Sequence, residues 1–116
     1  MLFRSDKLEP ALAQGATHSV VADDDVLRTV RRLTDGGPDF AFEVVGNPVT
    51  IRLAWDLVRP GGSAVVVGLA PKGVDAAVPA IDFLSDKRLL GCFYGSGNPH
   101  AEIADLAALE IGRAHV

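Results

Sequence analysis

The chain has 116 residues, of which 48% are hydrophobic and 22% are charged, a balance that supports one modest domain and argues against disorder. Its net charge of -4 offers no basic surface for nucleic acid, and its single cysteine excludes an internal disulfide and a cysteine-rich zinc site. No apolar run has the length of a membrane span or of a signal-peptide core, so we expect a cytoplasmic protein without membrane or nucleic-acid partners.

The first third of the chain alternates helix and strand signals. Residues 6–14 predict a short helix with Asp6 as its N-cap, although Pro10 within it predicts that the helix is weak or starts late. Residues 18–21 predict a brief strand. Residues 23–34 predict a second helix, capped by one of the two aspartates at its start. Alternation of this kind indicates an α/β fold with parallel strands.

Residues 39–71 form the clearest unit, with two short apolar runs joined by a segment of helical period. Asn47 is a candidate N-cap, and Pro48 suits the first helical position. The helix has one apolar face: Ile51, Ala54, Trp55 and Val58. This pattern predicts a βαβ unit whose two strands end at Gly46 and Gly68. Ligands of open α/β sheets bind at the carboxyl ends of the strands, so we expect a site beside these glycines.

The remaining residues continue the alternation. Residues 80–84 predict a helical turn, residues 88–94 predict a third strand closed by a Gly-Ser-Gly segment, and residues 99–109 predict an alanine-rich helix. No internal repeat or low-complexity linker interrupts this order, so we expect no domain boundary.

Few side chains carry obvious chemistry. Glu43 is either catalytic or a strand-end carboxylate held by backbone donors, and we favour the second interpretation. Cys92 has no local histidine as a base, which favours a packed thiol, and the scattered histidines lack metal-ligand spacing. Trp55 is expected in the core, and Lys7 on pattern alone is a solvated residue. Apolar runs that end on glycine suit a ligand site and an ordinary parallel sheet equally well.

Four blocks in order, KLE…GATH, GGPDFAFEVVGNPVTIRLAWDLVRPGG, VVVGLAP and KRLLGCFYGS, resemble the cofactor domain of zinc-type medium-chain alcohol dehydrogenases. The resemblance covers about residues 6–110 and is nearest to bacterial alcohol dehydrogenases and thiol-linked formaldehyde dehydrogenases. It implies an enzyme that binds NAD on a Rossmann sheet and transfers a hydride between a small alcohol or aldehyde and the nicotinamide. Zinc, in a separate catalytic domain, would polarise the alcohol oxygen. The resemblance also implies a homo-oligomer paired through the edge strand from Leu89 to Tyr94.

The resemblance assigns cofactor contacts position by position, mostly to backbone and apolar surface. Lys7 would contact the adenosine ribose, and Val45 and Leu69 would face the nicotinamide end. Three strand ends would line the rest of the site: Val44, Val45 and Gly46; Val67, Gly68 and Leu69; and Cys92, Phe93 and Tyr94. No catalytic residue and no metal ligand is assigned within the chain.

Several parts of such an enzyme have no counterpart in this sequence. The glycine-rich pyrophosphate turn is absent, and no acidic residue stands near Leu2, where the family places its ribose ligand. We therefore predict an incomplete doubly wound parallel sheet that lacks the first two strands, with the strand at residues 18–21 either collapsed against the open sheet edge or loosely held. We expect the isolated chain to have no dehydrogenase activity. The choice between NAD and NADP, and the zinc content of the parent enzyme, stay open.

The two ends of the chain look foreign to this domain. The first residues after Met1 can be encoded by a sequencing-adapter end, and residues 111–116 by the reverse-complement adapter. We expect residues 6–110 to be the genuine partial NAD-binding domain, and residues 1–5 and 111–116 to be adapter-derived; the underlying DNA would test this.

Two other interpretations remain at this point. The segment LVRPGGSAVVV also resembles Rossmann-fold methyltransferases, although the GATH and GCFYGS blocks favour the dehydrogenase. The third interpretation is a zinc-free, quinone-reductase-like protein or a binding module.

Overall fold

The computed structural model describes residues 2, 3 and 5–114, which alternate between strands and helices. The strands in this part are β1 (Leu2–Phe3), β2 (Val20–Val21), β3 (Phe40–Glu43), β4 (Ser63–Val66) and β5 (Arg88–Gly91). The α-helices are α1 (Leu8–Ala13), α2 (Val26–Leu33), α3 (Pro48–Leu57) and α4 (Pro99–Ala114). Short 3-10 turns cover Ser5–Lys7, Ala80–Ser85 and Tyr94–Ser96. No helix among the described residues is both long and apolar enough to cross a membrane.

The strands form two parallel sheets, which confirms an α/β fold with part of a doubly wound sheet. One sheet has the order β3-β4-β5, and the other consists of β1 and β2. One expectation was wrong here. Strand β2 neither collapses against β3 nor is loosely held; it pairs with the two-residue strand β1, which offers it an extended backbone partner.

Helix α3 begins where the sequence predicts, because two local signals coincide. Asn47 has an extended backbone, and its Oδ1 accepts a hydrogen bond from the Thr50 amide at 2.9 Å. Pro48 occupies the first helical position, where a missing amide proton costs nothing. Gly61 then adopts a φ of 78° and turns the chain into β4.

The predicted N-cap residues of the first two helices were wrong, although α1 starts late, as Pro10 predicted. Asp6 lies in a 3-10 turn, so α1 begins at Leu8 with Lys7 at the N-cap position. Helix α2 has Asp25 at the N-cap position. The Asp23 carboxylate instead accepts the Asp25 amide at 2.9 Å, which closes a turn before the helix.

The other two corrections concern β5 and α4. β5 ends at Gly91 instead of Tyr94, because Tyr94 and Ser96 have positive φ values of 47° and 57° that turn the backbone out of the sheet. Helix α4 runs to Ala114, five residues beyond the predicted end at position 109. Gly112 does not stop it, because a single glycine lowers helix stability by only about 1 kcal/mol.

The core lies between α3 and one face of the β3-β4-β5 sheet. Trp55, predicted to be in the core, is confirmed there with 0% of its surface exposed, packed with Ala54 and Ala64. The opposite face of the sheet is uncovered among the described residues, and Phe40 and Phe42 lie exposed on it. The sheet is therefore packed on one side and open on the other.

Candidate functional site

The carboxyl ends of β3, β4 and β5 lie level with one another. The register pairs Glu43 with Val66, and Val66 with Gly91, so each strand ends in the same row. Each strand is followed by a segment that leaves the sheet one residue after this row: residues 44–46, 67–69 and 92–94. Nine of the ten residues predicted for the cofactor site therefore lie along one edge of one sheet.

Backbone hydrogen bonds join these segments just beyond the last strand residues. The Glu43 carbonyl accepts hydrogen bonds from the amides of Val67 and Gly68, at 2.8 and 3.0 Å. The Val66 carbonyl accepts one from the Cys92 amide at 3.0 Å. The edge is thus held at fixed spacing before any ligand binds.

Two glycines let neighbouring segments of this edge approach closely. A Cβ on Gly46 would lie 2.5 Å from the carbonyl carbon of Leu69, and Gly46 has a φ of 86°. A Cβ on Gly68 would lie 2.7 Å from the Glu43 Oε2 atom and still closer to the Gly46 nitrogen. Both positions therefore require glycine on steric grounds. The two glycine turns touch each other, which the sequence did not show.

Apolar side chains project from this edge into solvent. Leu69 is 87% exposed, and the exposed set also contains Val44, Val45, Val67, Phe93 and Tyr94. The Phe93 and Tyr94 rings meet edge to face, with their centroids 4.7 Å apart. An exposed apolar band around a tightly held backbone is the kind of surface that binds a flat aromatic ligand.

Glu43 lies beneath the edge and holds the first turn in place. Only 3% of the residue is exposed, and its Oε1 atom accepts hydrogen bonds from the amides of Val45 and Gly46, at 2.8 and 2.7 Å. This confirms the interpretation of a strand-end carboxylate held by backbone donors. The Thr50 hydroxyl, which the sequence analysis did not single out, donates a third hydrogen bond at 2.7 Å.

Lys7 is the tenth predicted residue, and the structure places it apart from the others. It ends the 3-10 turn after β1, next to the two-stranded sheet, and its side chain is exposed. Cys92 is half-buried at the end of β5. Within residues 2, 3 and 5–114, no group of three or more His, Cys, Asp or Glu side chains is placed to hold a metal ion.

Comparison with known proteins identifies the family. The model of the zinc-binding dehydrogenase family matches residues 3–110. The chain belongs to this family. Alcohol dehydrogenase 2 of Zea mays is 32% identical to the chain over 107 residues, which are 89% of this chain and 28% of the relative.

Solved structures of similar proteins agree with this membership in the zinc-binding dehydrogenase family. Benzyl alcohol dehydrogenase from Acinetobacter calcoaceticus matches with a TM-score of 0.85 and 32% identity, over 96% of this chain and 32% of that one. A putative zinc-binding dehydrogenase from Sinorhizobium meliloti 1021, bound to NADP, matches with a TM-score of 0.65 and 26% identity, over 78% of this chain and 28% of that one. The chain thus spans about a third or less of the relatives it matches. The methyltransferase interpretation was wrong.

Proposed function

We propose that this chain supplies the nicotinamide-binding half of the cofactor site of an NAD-dependent, zinc-type alcohol dehydrogenase. The observation that carries the proposal is the contact of the Gly46 and Gly68 turns at the level carboxyl edge of β3 and β4. Glycine at both turns lets the two segments pack closely against each other, and the exposed apolar band beside them suits a flat ring. Membership in the zinc-binding dehydrogenase family supports this assignment.

The assigned residues would bind the cofactor by shape and backbone contact. Val45 and Leu69, both exposed at the edge, would cover the nicotinamide ring and exclude water from it. The backbone of Phe93 and Tyr94 would bind the carboxamide, and Lys7 would contact the adenosine ribose. Because β5 stops at Gly91, the carboxamide contacts would come from a turn instead of from a strand.

Bound NAD accepts a hydride from the alcohol carbon in enzymes of this kind, with a small alcohol or aldehyde as substrate. The described residues provide no set of metal ligands, so we assign none of them to zinc. The role proposed for this chain is therefore to bind and orient the nicotinamide, and we expect no turnover from the chain alone.

The exposed strand β5 ends the three-stranded sheet, and we propose that the parent enzyme forms a homo-oligomer by pairing along it. Strand β5 covers the predicted edge from Leu89 to Tyr94 only as far as Gly91, which limits the pairing to the first part of that segment. We also propose that the parent enzyme is cytoplasmic.

The test is a titration of the ¹⁵N-labelled chain with nicotinamide mononucleotide, which carries the ring without the adenosine half. We expect chemical-shift changes that saturate and are concentrated at Gly46, Gly68 and the amides beside them. The Gly68→Ala variant should lose this binding, because the added methyl group meets Glu43 Oε2 and the Gly46 nitrogen.

The matched control is Gly91→Ala, since a Cβ at Gly91 would meet nothing within 4 Å. This variant should bind the mononucleotide as the unsubstituted chain does. Absence of saturable shifts in the unsubstituted chain, or shifts centred away from this edge, would overturn the proposed function.

A further inference from the structure

Glu43 carries a charge that the proposed function does not use. Its Oε1 atom receives all three hydrogen bonds, from Val45, Gly46 and Thr50, whereas its buried Oε2 atom has no hydrogen-bond partner among the described residues. Glu43 also takes part in none of the ion pairs found in that part of the chain. A buried acidic side chain in which one oxygen atom has no hydrogen-bond partner needs an explanation.

The hydrogen bonds around Glu43 match an ionised carboxylate. An ionised carboxylate only accepts hydrogen bonds, and the three groups that contact Oε1 all donate. The Oε2 atom faces Gly68, where a Cβ would lie 2.7 Å away. The negative charge therefore lies directly beneath the contact between the two glycine turns.

A buried charge without a cation nearby acts over a longer range than one in water. Solvent screens it poorly, and no ion pair neutralises it among the described residues. Any positive charge that arrives at the edge above Glu43 would be stabilised, and a neutral group of the same shape would not.

We propose that Glu43 raises the affinity of this edge for the oxidised nicotinamide ring, which is positively charged, relative to the reduced ring, which is neutral. This inference rests on the proposed function, because it needs the ring to bind at this edge. Glu43 then has two roles: its Oε1 atom positions the turn at Val45 and Gly46, and its charge sets the ratio of affinities for the two oxidation states.

The two roles predict different results when Glu43 is replaced. Loss of positioning would weaken binding of the oxidised and reduced rings by the same factor, since the two rings have nearly the same shape. Loss of the charge would weaken binding of the oxidised ring selectively. The ratio of the two dissociation constants therefore reports the charge and is insensitive to a purely structural effect.

The experiment measures the dissociation constants of oxidised and reduced nicotinamide mononucleotide by ¹⁵N chemical-shift titration, for the unsubstituted chain and for Glu43→Gln. Glutamine keeps the length of the side chain and an oxygen that can accept the same donors. We expect the ratio of the affinity for the oxidised form to the affinity for the reduced form to fall by about three- to tenfold in Glu43→Gln. The control is Thr50→Val, which removes one hydrogen bond to Oε1 and keeps the charge, so the ratio should stay unchanged.

Equal weakening of both forms in Glu43→Gln would overturn this inference and leave the proposed function standing. Failure of the unsubstituted chain to bind either form would overturn both. If Glu43→Gln does not fold, the ¹³Cδ signal of Glu43 in the unsubstituted chain gives the answer. At matched saturation it should move more with the oxidised than with the reduced mononucleotide, and equal movement would contradict the charge effect.

Discussion

Helices α3 and α4 both carry apolar side chains, but only α3 buries them. Four of its residues are buried: Ile51, Ala54, Trp55 and Leu57. On α4, residues 100–113 are all exposed, including an apolar row: Ile103, Leu106 and Leu109. An apolar stripe shows that a helix has a face to bury, whereas stability comes from the surface that covers that face. Equivalent substitutions in the two helices should therefore have unequal effects.

Removal of the most buried side chain should give the largest difference between the helices. The Trp55 indole nitrogen donates to the Asp82 carboxylate at 2.9 Å, and its ring lies 4.8 Å from the Phe83 ring, centroid to centroid. We expect Trp55→Ala to lower the free energy of unfolding by about 3–5 kcal/mol, a large share of what a small domain has. Leu106→Ala on α4 should change it by less than about 0.5 kcal/mol.

Urea denaturation followed by far-ultraviolet circular dichroism would measure both variants. A Leu106→Ala variant as unstable as Trp55→Ala would show that α4 packs against the rest of the chain in solution, and the contrast between the helices would be lost.

The caps of the two helices give an intermediate test. Asn47 accepts the Thr50 amide at the start of α3, and Asn98 accepts the His100 amide at the start of α4. We expect Asn47→Ala to cost about 1 kcal/mol of global stability, because α3 unfolds only together with the sheet. Asn98→Ala should leave the unfolding midpoint unchanged and only reduce helical content. Chemical denaturation measures the unfolding midpoint of each variant, and circular dichroism in water measures its helical content. Equal shifts of the midpoint in the two variants would show that α4 unfolds together with the sheet, as α3 does.

The smallest effect should come from surface ion pairs. Arg52 and Asp56 lie one turn apart on α3, with nitrogen–oxygen distances of 3.0 Å, and both side chains are partly exposed. After allowing for screening by solvent, we expect Arg52→Ala to cost no more than about 0.5 kcal/mol, and less at high salt. The more exposed Arg28–Asp25 pair supplies the comparison, since Arg28→Ala should have no measurable effect. Thermal melts at two salt concentrations would measure these changes in stability. If Arg52→Ala lost the same stability at both concentrations, the loss would come from packing of the side chain and not from the ion pair.

The parts of the fold that the sequence predicted well depend on local signals. The cap at Asn47, the proline after it and the apolar face of α3 all act within a few residues, and each was confirmed. The end of β5 was wrong because Tyr94 and Ser96 adopt a positive φ that neither residue type favours. The N-cap of α1 was wrong because a 3-10 turn, not a capping side chain, precedes Leu8.

The candidate site was predictable as a set of positions and unpredictable in its internal contacts. Parallel strands bring their carboxyl ends together, so the grouping of the three segments followed from the predicted topology. Contact between Gly46 and Gly68 joins residues 22 positions apart in the sequence, and only packing determines it. The hydrogen bond from Thr50 to Glu43 links a helix to a strand end, and no local pattern marks it.

The mutual contacts of Glu43, Gly46 and Gly68 also restrict which substitutions this sequence can accept one at a time. A larger residue at position 68 meets the Glu43 carboxylate and the Gly46 backbone at once, so shortening one neighbour alone does not make room. Shortening Glu43 first removes the acceptor of the Val45 and Gly46 amides. A single substitution at any of these three positions should therefore give a less stable protein, so we expect the three residues to be replaced together or not at all.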